Sequence, residues 1–135
     1  MPADDMYADI ILDYYRNPRN FGTISDAEIK ASDSNPLCGD VIEISIKLNG
    51  NSIKDIKFSG KGCAISQAAA GMLTELAMGK NLEDAAKLSK KDILDMLSIP
   101  ISHVRIKCAL LSLKVLKLGV YSHIGGKLED ELKNL

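Results

Sequence analysis

A strand-like pattern gives way to a helical pattern within the stretch Phe58-Ser59-Gly60-Lys61-Gly62-Cys63-Ala64-Ile65-Ser66-Gln67. The two glycines allow a sharp turn and leave room beside the cysteine for something other than a side chain. A thiol in the first turn of a helix faces unpaired N–H groups and the positive end of the helix dipole, which favour the thiolate. Two interpretations of Cys63 therefore remain open: a metal-binding or reactive thiolate, and a buried, inert cysteine at a helix start.

The residues before this stretch predict a helix and a small antiparallel sheet. Apolar residues recur at helical spacing over residues 7–15, and turn-forming residues follow them. Residues 27–32 are a candidate edge strand, and residues 41–48 alternate between apolar and polar side chains. The dipeptide Asn49-Gly50 is a strong hairpin signal, after which residues 53–58 return as the partner strand.

The residues after the stretch predict helices. Apolar residues recur at three- and four-residue spacing from Ala64 until Gly79, and shorter helices are expected from residue 82 and over residues 90–97. A long helix is expected from residue 104, with Cys108, Leu111, Val115 and Leu118 on its inward side, and a last short charged helix from residue 127. Because the strands come first, the predicted class is α+β, with helices packed on one face of a three-stranded antiparallel sheet.

Length and composition favour one globular domain covering residues 1–135. The chain has 46% hydrophobic and 26% charged residues and a formal net charge of −1. A broad nucleic-acid surface is not expected at this charge, and no apolar run approaches the length of a membrane span. The acidic start also lacks the pattern of a signal peptide. We therefore expect a cytoplasmic protein with no nucleic-acid or membrane partner.

The three cysteines are the candidate functional residues. Cys38, Cys63 and Cys108 contain no CxxC pair and each falls at a predicted element boundary, where a scaffold presents functional groups. Asp40 follows Cys38 by two residues across a glycine, and in an extended segment both side chains point the same way. Three thiolates and a carboxylate suit a zinc site or an iron–sulfur cluster. The alternative for Asp40 is a solvent-exposed carboxylate that caps a turn.

Three motifs carry a resemblance to a known family. The segments Asn35-Pro36-Leu37-Cys38-Gly39-Asp40, Gly60-Lys61-Gly62-Cys63-Ala64-Ile65-Ser66 and Arg105-Ile106-Lys107-Cys108 resemble the cysteine motifs of the IscU/SufU/NifU-N family of iron–sulfur cluster assembly scaffold proteins. Residues 6–20 are similar to the N-terminal helix of that family and the Asn-Pro-Arg turn after it. The resemblance implies an IscU/SufU-like fold over nearly the whole chain.

The resemblance also implies a function. A member of this family is expected to be a scaffold or carrier, not an enzyme, on which a 2Fe-2S cluster is assembled from iron and desulfurase-derived sulfur and then passed to recipient apoproteins. The motif positions imply Cys38, Asp40, Cys63 and Cys108 as the ligands of the cluster or metal. A cysteine desulfurase is the implied partner, with Cys108 as the first candidate persulfide acceptor and Cys63 as the second. Tyr7 matches a tyrosine implicated in self-association, which implies a homodimer around the cluster.

The third motif departs from the bacterial IscU pattern. Lys107 stands where those proteins usually carry histidine, and the Arg-x-Lys-Cys sequence is typical of the SufU branch, whose members bind zinc and relay sulfur. The interval between Cys63 and Cys108 is nevertheless too short for the insertion usual in SufU. The alternative function is therefore a zinc-dependent sulfurtransferase that accepts persulfide from a cysteine desulfurase, with zinc in the cluster-free form. Lys107 is interpreted either as a partner of the Cys108 thiolate or as a solvated residue, and His103 as a surface residue or a spare ligand.

Overall fold

The computed structural model of the protein describes residues 2–36, 39–98 and 101–125, and side chains from residue 9 onward within those ranges, residue 104 excepted. The elements in chain order are α1 (Pro2–Arg16), β1 (Ile29–Asn35), β2 (Asp40–Asn49), β3 (Ser52–Lys61), α2 (Ala64–Ala77), α3 (Leu82–Ala86), α4 (Lys90–Leu97) and α5 (His103–Ile124). The strands form one antiparallel sheet of order β1-β2-β3. This confirms the α+β class. Within the described ranges, no helix combines the length and the hydropathy that a bilayer crossing requires.

The sheet buries one face against helices. Ile42, Ile44 and Ile46 alternate along β2 and are 1% exposed or less, whereas Glu43 and Lys57 on the opposite face are partly exposed. Because side chains two residues apart share a face of a strand, the carboxylate of Asp40 points to the same helix-covered side as Ile42. The register of the central strand therefore places an acidic group at the end of the buried face.

The hairpin between β2 and β3 turns one residue later than predicted. Asn49 pairs with Ser52, so the turn residues are Gly50 and Asn51, and Gly50 has a φ of +62°. The register shifts between Lys47 and Leu48, which is the signature of a β-bulge. The extra residue in the bulge moves the turn, which explains why the Asn49-Gly50 signal located the hairpin correctly but not its exact loop.

Helices α2 and α5 form the layer that covers the sheet, and α1 packs on α2. The approach of α5 to β1 is close at Gly119, where a Cβ atom would lie 2.8 Å from Cγ2 of Ile29. The predicted inward stripe of α5 is confirmed for Leu111 and Val115 but is wrong at Leu118, which is 46% exposed. The face of α5 that contacts the sheet includes Gly119, so the side chain of Leu118 points toward solvent.

The short helices begin at the predicted residues, 82 and 90, and each has a capping residue. The side chain of Asn81 accepts a hydrogen bond from the N–H of Asp84 at the start of α3. Ser89 and Asp92 form a reciprocal capping box at the start of α4. The predicted last helix from residue 127 lies outside the described residues.

Candidate metal centre

Cys63 is the N-cap residue of α2, so the predicted position of this cysteine at a helix start is confirmed. Its backbone is extended, with φ of −71° and ψ of 167°, and its Sγ accepts a hydrogen bond from the N–H of Ser66 at 3.5 Å. The Ser66 hydroxyl donates to the carbonyl of Cys63 at 3.0 Å. The thiol is half-buried and lies at the N-terminal, positive end of α2.

Asp40 is the first residue of β2, and it is 1% exposed. Its Oδ1 atom accepts a hydrogen bond from the N–H of Cys63 at 3.0 Å, and its Oδ2 atom lies 3.8 Å from the Cys63 Sγ. The interpretation of Asp40 as a solvent-exposed carboxylate that caps a turn is therefore wrong. The strand start and the helix start instead hold a carboxylate and a thiol side by side.

Gly60, within β3, and Gly62, just before Cys63, are both required as glycines. A Cβ atom on Gly62 would lie 2.4 Å from Oδ1 of Asp40 and 2.6 Å from Oγ of Ser66. A Cβ atom on Gly60, whose φ is +135°, would lie 2.0 Å from the carbonyl oxygen of Val41. The space beside Gly62 is thus filled by the Asp40 carboxylate and the Ser66 hydroxyl, which corrects the prediction that it is open to something other than a side chain.

Cys108 of α5 lies beside Asp40 and Cys63. It lies in the second turn of α5 and is 0% exposed, and its Sγ is 4.0 Å from the donor Nδ2 of Asn35, the last residue of β1. One carboxylate oxygen of Asp40 and the sulfurs of Cys63 and Cys108 all lie within 4.8 Å of one another. The fold therefore brings together three of the four predicted ligand residues. Cys38 lies outside the described residues, so its place in the group stays a prediction.

Among the described residues, Arg105 is a cation that contacts both thiols. The charge of the Cys63 thiolate, together with hydrogen bonds to the thiols of Cys108 and Cys63, raises the pKa of the Arg105 guanidinium. Lys107, which the sequence offered as a partner of the Cys108 thiolate or as a solvated residue, is exposed and lines a neighbouring cavity. The signal for Arg105 was its spacing, because residues three apart on a helix share a face.

The geometry of the group suits a borderline metal ion. Two thiolates bound to one tetrahedral zinc at 2.3 Å stand roughly 3.8 Å apart, so donor atoms within 4.8 Å of one another need to close by about 1 Å at most. Sulfur-rich sets with one oxygen favour zinc or iron over magnesium or calcium. His103 and His123 are exposed and stand outside the group, so the spare-ligand interpretation of His103 gains no support.

Known proteins are similar to this chain in sequence over most of its length. Residues 6–129 match the family model of the NifU-like N terminal domain. The chain is 39% identical to the zinc-dependent sulfurtransferase SufU of Bacillus subtilis, over 91% of this chain and 95% of that protein. It is 37% identical to the iron–sulfur cluster assembly scaffold protein IscU 1 of Archaeoglobus fulgidus, over 96% of this chain and 85% of that protein.

A solved structure shares the fold. The N-terminal part of a nitrogen-fixing NifU-like protein from Brucella abortus superposes with a TM-score of 0.71. The match covers 90% of this chain and 95% of the other, at 19% sequence identity. At that identity the likeness concerns the fold alone.

Proposed function

The chain belongs to the family of NifU-like N-terminal domains, and on that premise we propose that it is a scaffold for iron–sulfur cluster assembly. In this proposal a 2Fe-2S cluster is the cargo, built from iron and from sulfur supplied by a cysteine desulfurase, and then passed to recipient apoproteins. The observation that carries the proposal is the convergence of one carboxylate and two sulfurs from β2, α2 and α5. No single element could present that set alone.

Each residue of the set is assigned a different task. Of the two cysteines that the structure describes, Cys63 is half-exposed and is met first by an incoming ion, whereas Cys108 closes the inner side. Asp40 supplies a hard oxygen among soft sulfurs, which weakens the hold on the iron and eases release of the cargo. Cys38, two residues before Asp40 across Gly39, is proposed as the fourth ligand.

The sulfur step is a thiol–persulfide exchange. A cysteine thiolate attacks the outer sulfur of the desulfurase persulfide, a new S–S bond forms, the old S–S bond breaks and the donor cysteine leaves as a thiolate. The step involves no net oxidation. Cys108 is the acceptor proposed from the family resemblance, and its 0% exposure means that the atoms covering its sulfur must move first. Cys63, the second candidate, needs no such movement.

Domain extent, cellular location and oligomeric state complete the proposal. We propose one domain over residues 1–135 that works in the cytoplasm, where thiols stay reduced. A homodimer around the cluster is proposed as the form in which two chains share the cargo.

Anaerobic reconstitution with ferrous iron, cysteine, a cysteine desulfurase and dithiothreitol, which reduces persulfide sulfur to sulfide, tests the scaffold proposal. We expect a red-brown protein with cluster absorbance and acid-labile sulfide. Asp40→Ala should lengthen the lifetime of the cluster, because an oxygen ligand that eases release is removed. Asp9→Ala, which removes an exposed carboxylate of α1, is the matched control and should leave the lifetime unchanged. A wild-type chain that never acquires the absorbance would contradict the proposal.

The second candidate function is a zinc-dependent sulfurtransferase, a carrier with an enzymatic step. The observation that favours it is the contact of the Arg105 guanidinium with both thiols, since a cation keeps thiolates ready for zinc or for attack on sulfur. Metal analysis of protein purified without oxygen separates the two functions. Stoichiometric zinc with stimulation of desulfurase turnover supports the transferase, whereas iron with acid-labile sulfide supports the scaffold.

A further inference from the structure

A cavity of about 400 Å³ lies where the end of β1 meets the first half of α5. Its volume is in the range of small-molecule sites in proteins. Asp40 and Cys63 do not line it, so it is separate from the solvent-accessible side of the metal centre. Cys108 does not line it either, but Lys107 and Leu111, one residue before and three residues after Cys108, both do. The cavity therefore approaches Cys108 without passing Cys63.

The Asn35 side chain lies between this cavity and the sulfur of Cys108. Asn35 lines the cavity, is 7% exposed, and places its Nδ2 atom 4.0 Å from the Cys108 Sγ. Two heavy atoms at that distance are in van der Waals contact, so no third atom fits between them. The group that must move before Cys108 reacts from this side is therefore the Asn35 amide.

The described lining of the cavity combines apolar surface with one uncompensated positive charge. The apolar surface comes from Pro36, Leu110 and Leu111. Lys114 also lines the cavity, but its ammonium lies 2.8 Å from the Asp33 carboxylate. Lys107 is exposed and takes part in none of the ion pairs found in the described part of the chain. Because no described aspartate or glutamate lines the cavity, its chemistry suits a short aliphatic chain that ends in a carboxylate.

We propose that this cavity binds a small thiol or disulfide that carries a carboxylate, and that it admits this compound to Cys108. The carboxylate lies beside the Lys107 ammonium, and the aliphatic chain lies on Leu110 and Leu111. The Asn35 side chain turns aside so that the sulfur atoms meet. With a disulfide R–S–S–R, the Cys108 thiolate attacks one sulfur, the mixed disulfide Cys108–S–S–R forms, the original S–S bond breaks and R–S⁻ leaves.

The role of this exchange in sulfur traffic rests on the proposed function, whereas binding of the anionic compound does not. When Cys108 carries a persulfide, a small thiolate R–S⁻ attacks its outer sulfur, the S–S bond breaks, R–S–SH leaves and Cys108 returns as a thiolate. The step involves no net oxidation. Sulfur then leaves the site on a small molecule, by a route that does not use the Cys63 side.

Three disulfides of similar size and different charge test the site in the reduced, metal-free full chain. They are dithiodipropionate, which is anionic, hydroxyethyl disulfide, which is neutral, and cystamine, which is cationic. Peptide mapping by mass spectrometry gives the rate of mixed-disulfide formation at Cys108, and division by the rate with free mercaptoethanol removes the intrinsic reactivity of each reagent. We expect Cys108 to prefer the anionic reagent over the cationic one by about fivefold. An equal rate for the three reagents would overturn the proposal.

A charge reversal shows whether Lys107 is the source of that preference. Lys107→Glu should abolish the preference for dithiodipropionate at Cys108. Lys54→Glu is the matched control, because Lys54 is an exposed lysine of β3 that does not line the cavity and the change in net charge is the same. A preference that survives Lys107→Glu, or that Lys54→Glu weakens equally, would contradict recognition of the carboxylate by Lys107.

A change of size shows whether the reagents pass through the cavity. Ser34→Trp places a large ring in the lining and should slow the exchange of all three reagents at Cys108 several-fold, with no change at Cys63. Ser32→Trp, two residues earlier on the same strand and outside this lining, is the control. Asn35→Ala removes the covering amide and should speed the exchange at Cys108.

Circular dichroism checks that the variants stay folded. Exchange at Cys108 that Ser34→Trp leaves unchanged would show that the reagents reach the sulfur by another route, and the proposal would be overturned. None of these readouts uses metal, persulfide or a desulfurase, so failure here leaves the scaffold proposal untouched.

Discussion

Cys63 and Cys108 supply sulfur to the same group of donor atoms, yet they are held in different ways. Cys63 stands at the N-cap of α2, half-exposed, and its position is set by a glycine turn and the hydrogen bonds around it. Cys108 lies in the second turn of α5 and is 0% exposed, and its position is set by the packing of α5 on the sheet. One sulfur is thus placed by local backbone geometry and the other by the core.

The difference gives the site an open side and a closed side. A half-buried thiol at a helix start, such as Cys63, can be reached from solvent. A thiol inside a packed helix is fixed in place, but ions and reagents reach it only when the surroundings open. If the proposed metal centre is correct, this asymmetry predicts that a metal ion enters from the Cys63 side.

Gly62→Ala is expected to have the largest effect on the solvent-accessible side of the site, where Cys63 lies. The new methyl group would collide with the Asp40 carboxylate and the Ser66 hydroxyl, so we expect a loss of stability of about 1–3 kcal/mol and loss of metal binding. Denaturant unfolding and metal titration of the same preparation measure the two effects.

Gly79→Ala is the control for that experiment. Gly79 has a φ of +83°, and no neighbouring atom lies within 4 Å of the position that a methyl group would take, so the substitution strains only the backbone. It should cost about 1–2 kcal/mol while metal binding stays at the wild-type level. If Gly62→Ala binds metal as well as Gly79→Ala does, the crowded contact of Gly62 with Asp40 has no role in the site.

Alkylation rates sharpen the comparison of the two thiols. In reduced, metal-free protein we expect iodoacetamide to modify Cys63 at least about tenfold faster than Cys108, because Cys108 must wait for a local opening. Peptide mapping by mass spectrometry follows each cysteine separately. Metal added before the reagent should slow the modification of both. Equal rates at the two positions would show that Cys108 is as accessible as Cys63, which would contradict the proposed difference between the two thiols.

The smallest predicted effect concerns Arg105, which contacts both sulfurs from an exposed position. Arg105→Ala should lower the alkylation rate of Cys63 by about threefold, the size expected when a half-buried sulfur loses a solvent-exposed cationic partner. Arg105→Lys keeps the charge and should retain part of the rate. High salt should shrink the difference between the variants, because solvent screens exposed charges. A faster reaction in Arg105→Ala would mean that the arginine shields the thiols.

Much of the fold was predictable because local signals agree with the tertiary structure. Alternation along β2 identified its buried face, and α3 and α4 begin at the predicted residues 82 and 90. The glycine turn before Cys63 placed that thiol at a helix start. In each of these cases the backbone hydrogen bonds of a short segment decide the outcome.

Other features depend on contacts that a linear pattern does not contain. The exposure of Leu118 follows from the close approach of Gly119 to β1, and periodicity alone does not reveal where a helix touches a sheet. The filling of the space at Gly62 by Asp40 joins segments 22 residues apart in sequence. The choice of Arg105 as the cation at the sulfurs required knowing which face of α5 turns toward Cys63.

X-ray absorption spectroscopy at the edge of the bound metal tests the convergent site most directly. In protein isolated without oxygen, and in Cys63→Ser and Cys108→Ser variants, the spectrum reports how many sulfur and oxygen atoms surround the metal. The wild-type spectrum should contain a sulfur-dominated shell with an oxygen contribution, and each serine variant should lose sulfur from that shell or lose the metal. A shell without sulfur, or one that neither variant changes, would contradict the convergence of Asp40, Cys63 and Cys108 on one metal.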